Sequence, residues 1–555
     1  MSAVPWRLRR PVPSGQPPWR SLAEAWGLSP QAARLAWMRE ADGPVDLAWR
    51  LDPTWARSTD PHLLPGVTAA VARLRLALER QETICIYGDY DADGVTATAL
   101  LMRVLEKLKA RVDFFIPNRF NDGYGLHLDC IRELVAERQP SLLISVDCGV
   151  RSVAEVAASA ALGVDWIITD HHALGLELPA AAAVVHPALG EYPNPHLSGV
   201  GVAFKLAQAL LDAAPLPRAG DEPFLDGLLK LVALGTVADM VPLKGENALL
   251  VKRGLQALAG ANGPGVAALL KAAKVEGPVR ASHIGFGVGP RLNAVGRMGG
   301  AEDAVRLLLT RDPAQAATLM TQVETLNQLR KDIQRQLSQS LPPPGDEPFD
   351  LVVDPDAHKG VIGIVAGQRM RLSGRPSAVC TVLDGIAHCS VRAPEGYDLR
   401  PLLEMAQPYL LSGGGHRYAA GLTFPLGRLA FIRETLKRGA LEQAGSAPAA
   451  TLTLDGGCDQ APSREELDRL EPFGQAFPEP LYLAEGRLDA PAKAFGSGHR
   501  KFRMDPEPHE FTLFASEDPE PPLAGALRLA VAPLDHPRWG RSWRVDRFLA
   551  EEERP

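Results

Sequence analysis

Three carboxylates at alternate positions, Asp89, Asp91 and Asp93, stand in the stretch TICIYGDYDADGVTATALL (83–101), directly after a short apolar run and directly before a helical one. Acids this close repel one another, so a folded site that keeps them ionised needs cations. Hard divalent ions with oxygen ligands answer that need. Three further clusters close apolar runs: Asp147 in LLISVDCG, Asp170 with His171 and His172 in WIITDHH, and Asp239 in LVALGTVADMVPL. Carboxylates and imidazoles without sulfur suit Mg2+ or Mn2+ and argue against structural zinc. Two ions sharing one carboxylate would explain the surplus of acids. Blander roles compete at each position. An Asp at a strand end also serves as the N-cap of the next helix, and DxDxDG also resembles a Ca2+ loop, although Leu101 stands where an EF-hand places its bidentate Glu.

The elements that must position these side chains follow from the patterning. From residue 83 short β-rich runs alternate with longer helical ones: TICIY, a helix to about Lys109, VDFFIP, LDCIRELVAER, LLISVD, VAEVAASAALG, WIITD and AAVVHP. That alternation predicts βαβ units and a parallel sheet. The loops after parallel strands open at one edge, which brings Asp147, Asp170, His171 and Asp239 toward the first acid loop. Two helices follow, near 199–213 and 222–237. Residues 313–341 carry apolar side chains at 319, 323, 326, 329, 333 and 337 after Asp312-Pro313, which predicts one long helix, stopped at PPPG and serving as a connector. Strand and helix patterns to about 445 predict a second α/β domain. Beyond 450, LTLDGG, PLYLAEGRL, HEFTLFA, ALRLAVAPL and RSWRVDRFL predict a small β-barrel.

With 555 residues, several domains are expected: a lead-in over 1–80 that packs on the core, a catalytic domain over 81–310, the connector at 311–343, a second α/β domain at 344–448 and the barrel at 449–555. A net charge of −7 leaves nucleic-acid binding to local basic patches. The six cysteines show no CxxC pair and read as buried free thiols of a reducing compartment. The basic, Pro-rich N-terminus lacks the apolar core of a secretory signal, and no apolar run reaches membrane-spanning length, so a cytoplasmic protein is expected.

GDYDADG, SVDCG, TDHH and GTVADMVPL, in this order, resemble the four signature motifs of the DHH phosphoesterase superfamily, and LSGGGHRYAAG (411–421) resembles the glycine-rich signature of the DHH-associated domain. GVGPRLNAVGRMGGAEDAVRLLL (287–309), together with the strand-rich tail and its LEPFGQAFPEP (470–480), resembles the superfamily's branch of single-strand-specific 5′ to 3′ DNA exonucleases, whose barrel is an oligonucleotide-binding fold. The resemblance implies metal ligation by Asp91, Asp93, Asp147, His171 and Asp239, with Asp147 as the bridge. It makes Asp89, Asp170 and His172 supporting or alternate groups, His172 orienting water or protonating the leaving group. Tyr87 stands where the related pyrophosphatases carry a metal-binding His. Ser390 and Arg392, in CSVRAP, resemble a 5′-phosphate pocket. Gly413, Gly414, Gly415 and His416 offer backbone for close approach of a phosphate, with a glycine-rich turn as the plain alternative. Arg119, Arg291, Asn293 and Arg297 add phosphate-binding side chains. Near the C-terminus Arg538, Arg541 and Arg544 interleave with Trp539 and Trp543, a stacking pattern for single strands, or a barrel strand whose tryptophans fill the core.

The resulting expectation is a two-ion Mn2+ or Mg2+ exonuclease acting on single-stranded DNA with a 5′ end, a monomer with a single-strand-binding protein and a recombination helicase as further partners. A phosphodiesterase for oligoribonucleotides or cyclic dinucleotides is the first alternative, against which the extra barrel counts. A non-catalytic scaffold of a replication or repair complex is the second.

Overall fold

The computed structural model describes residues 6–9, 18–39, 46–118, 125–212, 221–444, 452–488, 490–495, 499–506, 509–514, 525–534 and 542–549. The chain forms two compact units, one built from Leu8–Glu324 with Leu454–Phe548 and the other centred on Thr325–Thr453. Among the described residues no helix is long and apolar enough to cross a membrane.

The first unit holds a five-stranded parallel sheet of β1 (Thr83–Gly88), β2 (Arg111–Phe115), β3 (Leu142–Val146), β4 (Asp165–Thr169) and β5 (Ala183–Val185), in the order β2-β1-β3-β4-β5. All five residues of β3 are buried, the near-continuous apolar run of a central parallel strand covered on both faces. Register explains how the acids meet. Gly88, Val146, Thr169 and Val185 form one row across four strands, so the next residues, Asp89, Asp147, Asp170 and His186, leave the sheet side by side. Three helices stand over this edge: α1 (Ala92–Lys107), α2 (Gly199–Leu210) and α3 (Glu222–Ala238). Every residue of α2 is buried. Its Lys205 is neutralised by Glu246 at 2.6 Å, and Tyr192 donates to the same carboxylate at 2.6 Å, which satisfies an ion pair removed from water. Further on come α4 (Pro264–Ala272), a single π-turn at Ile284–Val288, α5 (Gly289–Met298) and the start of the long helix α6 (Pro313–Ser340), which is close to the span its periodicity predicts and belongs to the other unit from Thr325 on.

In this unit the N-terminal helix Pro30–Arg39 buries Leu35, Ala36 and Met38 with Leu467, Leu470, Phe473 and Phe477. Arg50 is fully buried, donates to the carbonyl of Pro472 at 2.5 Å and lies 3.6 Å from the centre of the Phe477 ring. The LEPFGQAFPEP segment therefore joins this packing rather than the barrel wall.

The second unit has a five-stranded mixed sheet of β6 (Asp350–Val353), β7 (Ser377–Leu383), β8 (Ile386–Arg392), β9 (Ser412–Gly415) and β10 (Ala419–Pro425), ordered β9-β10-β8-β7-β6, with α7 (Ile362–Ser373) against β7 and β8. One expectation is overturned here. Cys380 and Cys389 are joined as a disulfide, while Cys85, Cys130, Cys148 and Cys458 are buried thiols. Leu383 pairs with Ile386 across a two-residue Asp384-Gly385 turn with φ of 50° and 75°, and that register sets Cys380 opposite Cys389.

The barrel strands β11 (Tyr482–Leu488), β12 (Lys493–Phe495), β13 (His499–Asp505), β14 (Glu510–Leu513), β15 (Gly525–Pro533) and β16 (Ser542–Phe548) run β11-β15-β16-β14-β13-β12, and β11 also pairs with β13, which closes five of them into a barrel. Trp543 is fully buried in its core, edge-on to Tyr482 with centroids 5.8 Å apart, so it is no stacking platform. Arg544 pairs with Glu479 at 2.7 Å. Arg538, Trp539 and Arg541 lie outside the described residues.

Candidate active site

The first acid loop is fixed before any ligand arrives. Asp91 is the N-cap of α1, its Oδ1 accepting from the amides of Asp93 at 2.9 Å and Gly94 at 3.1 Å, so the plain capping role and a metal role coexist on one carboxylate. Asp93, at the first turn of α1, is buried, and its oxygens accept from Gly199 N at 2.6 Å and Val200 N at 2.9 Å at the positive end of α2. Burial and the charges of Asp239 and Asp91 nevertheless push its carboxyl well above the ordinary range. Asp239 is the C-cap of α3, where the helix dipole is unfavourable to an anion. Burial and Asp91 push it up to about 7. Asp147 has a left-handed backbone, φ 64°, which turns its side chain back over the strand ends. Burial, then Asp93, Asp91 and Asp239, raise it far above a normal carboxyl.

His171 Nε2 lies 3.0 Å from Asp147 Oδ1, 3.6 Å from Asp239 Oδ2 and 3.9 Å from Asp93 Oδ2. Both His171 Nε2 and Asp147 Oδ1 are buried without a hydrogen-bond partner. Bare lone pairs facing one another out of water are costly in a protein interior and are what a metal ion satisfies. Burial and neighbouring His172 push the His171 imidazole down to about 3, into the neutral form that ligates. The ligand atoms group as Asp89, Asp91 and Asp147; as Asp93, His171 and Asp239; and as Asp147, His171 and His172, each set lying within 4.8 Å. Asp147 and His171 belong to two sets each, the sharing that paired ions need. The oxygen-and-imidazole donors fit hard divalent cations.

Asp170 lies outside these groups. Its carboxylate accepts from the amides of Val150, His171 and His172 and from His172 Nδ1 at 2.8 Å. Burial opposes its ionisation, but these bonds outweigh it and hold the carboxyl below its ordinary range. Burial likewise opposes a charged His172, yet its bond to Asp170 and the charges of Asp170, Asp239 and Asp89 raise it to about 9. Tyr87 points into the core between Phe115 and Trp166 and takes no part.

Several contributors carried no chemical signal in the sequence. His186 accepts from Ala188 N through Nδ1, so its Nε2 donates to the His172 carbonyl at 2.8 Å and pins the DHH loop. A methyl group at Gly199 would sit 2.5 Å from Asp147 Oδ1, one at Gly235 would sit 2.7 Å from Asp93 Oδ1, and one at Gly94 would sit 2.6 Å from the Asp89 carbonyl. At Gly296 a methyl would collide with the Tyr90 carbonyl. The loop after Asp239 is braced by Leu243 N donating to the Gln475 carbonyl at 2.9 Å.

The expected phosphate-binding residues divide. Asn293 accepts from Ala92 N at 2.8 Å through Oδ1 and supports the acid loop. Arg291 is paired with Glu324 at 2.7 Å. Arg297 follows one turn after Asn293 on α5, half-buried, and Arg119 lies outside the described residues. In the second unit Gly414, Gly421 and Ser390 form one row across three strands, and a methyl at Gly363 of α7 would meet Arg392 Nη2 at 3.1 Å and Ser390 Oγ at 3.3 Å. Ser412–Gly415 is an exposed edge strand instead of a turn, and the turn after it contains His416, whose Nδ1 accepts from Tyr418 N at 3.3 Å.

The family model for the DHH family, N-terminal domain, matches residues 83–236, and that for the DHHA1 domain matches 349–440. The single-stranded-DNA-specific exonuclease RecJ of Bacillus subtilis is 36% identical over 91% of this chain, which spans 64% of that relative's length. RecJ of Dickeya dadantii is 37% identical, covering 80% of this chain and 82% of that one. The crystal structure of Thermus thermophilus RecJ in complex with Mn2+ superposes with a TM-score of 0.84 at 31% identity, covering 100% of this chain and 80% of that one. Its complex with Mg2+ gives 0.78 at 29% identity, covering 99% and 79%. With the ordered motifs, the two family domains and the closed barrel all accounted for, the chain belongs to the RecJ family of single-stranded-DNA-specific exonucleases.

Proposed function

We propose that this chain hydrolyses single-stranded DNA from its 5′ end, releasing 5′-mononucleotides, with two Mn2+ or Mg2+ ions, in DNA repair and recombination. The observation that carries the reading is the pair of buried, unbonded atoms Asp147 Oδ1 and His171 Nε2, 3.0 Å apart and ringed by Asp93 and Asp239. Asp89, Asp91 and Asp147 would hold one ion and Asp93, His171 and Asp239 the other, with Asp147 adjoining both. When bound, such a pair lowers the pKa of the attacking water and offsets charge on the scissile phosphate. The chain's own part is to position and to move a proton. Asp170 holds His172 through Nδ1 and so orients its imidazole toward the leaving 3′ oxygen. Ser390, Arg392, Gly413, Gly414, Gly415 and His416 supply donors for backbone phosphates, joined by Arg297 and Arg119. Arg291, when released from Glu324, adds another. A single-strand-binding protein and a recombination helicase are the partners such a nuclease would work with.

The test is digestion of a 5′-phosphorylated single strand, labelled at one end or the other, with Mn2+. Labelled mononucleotide should appear first from the 5′ label, and Asp147→Ala should release none. No release from the wild-type protein, or release beginning at the 3′ label, defeats the reading.

A further inference from the structure

Far along α1 from its acidic start lies a second constellation of opposite sign. A cavity of about 500 Å³ is lined by Arg103, Lys107 and Arg311 against the single carboxylate of Glu106, with Phe224 and Pro264 as apolar walls. Arg103 is ten residues beyond Asp93 on the helix, about 15 Å at 1.5 Å per residue, so this is not the acid centre seen from another side. Among the described residues none of the three cations makes an ion pair. Arg103 donates to the Leu308 carbonyl at 2.7 Å, which aims the rest of its guanidinium, and Lys107 lies 4.6 Å from the centre of the Phe224 ring. Burial, then the charge of Arg311, holds Arg103 below its ordinary range, and Lys230 is lowered by burial and by Arg103. Three cations around a concave site with a single carboxylate among them leave an excess of positive charge for an external anion.

We propose that this cavity binds a small phosphate dianion, either inorganic phosphate or the phosphate of a mononucleotide. A guanidinium fork and a lysine are the side chains that recognise such a group. The volume falls within the range of small-ligand sites.

The experiment is calorimetric titration of the full chain in chelator with inorganic phosphate and, separately, with 5′-dAMP. Without metal the acid centre repels both. Arg311→Gln and Lys107→Gln, which remove exposed side chains and leave the Arg103 anchor in place, should each weaken binding about tenfold, the loss of one charge-assisted contact. Arg392→Gln, which deletes the phosphate contact proposed for the other unit, should leave in place the separate binding event that depends on Arg311 and Lys107. A nucleotide that binds more tightly than phosphate would identify the mononucleotide as the ligand, and equal affinities would identify phosphate itself. Binding that survives Arg311→Gln and Lys107→Gln but is lost in Arg392→Gln, or no binding of either anion, overturns the proposal. Because no metal or DNA enters the titration, its outcome is independent of the nuclease reading.

Discussion

The acid centre and the glycine strand of the second unit are built on opposite plans. Asp89, Asp93, Asp147 and Asp170 are each no more than 3% exposed, and backbone amides or close-packed glycines fix each of them. Ser412–Gly415 is exposed at every residue, and a methyl group at Gly414 would meet nothing within 4 Å. Glycine serves both places, in one to let heavy atoms converge and in the other to leave a bare backbone edge. Hydrolysis needs preorganised charge in a dry site, whereas recognition of a repeating backbone needs access. If this contrast is right, substitutions in the first region act on turnover and those in the second on affinity.

The strongest way to break the contrast is Asp147→Asn. Loss of the shared carboxylate should lower kcat by more than about 10³-fold, the scale seen when a preorganised charged group is deleted from a catalytic site. Single-turnover digestion with Mn2+ checks it, and retention of a tenth of the activity would remove Asp147 from the centre. Next comes Gly199→Ala, which touches no substrate. Its new methyl at 2.5 Å from Asp147 Oδ1 must push that oxygen aside, and a displacement of about 1 Å costs about 10²-fold in rate. The loss should fall on kcat with KM nearly unchanged. Asp170→Asn keeps an acceptor for the loop amides but removes the charge that holds His172. A reduction of about 10- to 100-fold in activity is expected, with metal affinity measured in parallel to separate the two roles.

Stability gives a sign that activity cannot. In chelator the acids of the centre repel one another, so Asp147→Asn should melt above the wild-type protein. Mn2+ at about 100 times its Kd should stabilise the wild type by about 2.7 kcal/mol and reverse that order. A wild-type melting temperature indifferent to Mn2+ would mean that the cluster is no metal site.

Much of the acid centre was legible because its residues carry charge and stand at strand ends, where a parallel sheet collects them. Its support was not. Gly94, Gly199, Gly235 and Gly296 matter through the absence of a side chain, which no pattern of residue types announces. Asn293 looked like a phosphate ligand since its amide suits either task, and only geometry shows it holding Ala92 N. The disulfide could have been found. Asp384-Gly385 between two β-rich runs is a two-residue hairpin signal, and counting back from it pairs 380 with 389. The scatter of the cysteines along the chain conceals that register, because only the turn between the two strands brings positions nine residues apart into opposition.

The smallest effect sharpens the comparison most. Gly414→Ala adds one methyl group to open space at a position whose backbone needs no left-handed φ, so neither folding nor the acid centre should notice it. A DNA backbone lying against that strand would notice, because the methyl holds it off. KM for a long single strand should rise a few-fold while kcat stays within about twofold, the signature of lost uniform binding. Gly199→Ala, the same chemical change in the other region, should do the reverse. Equal KM for wild type and Gly414→Ala would deprive the exposed strand of its part in recognition and leave phosphate contact to Ser390 and Arg392.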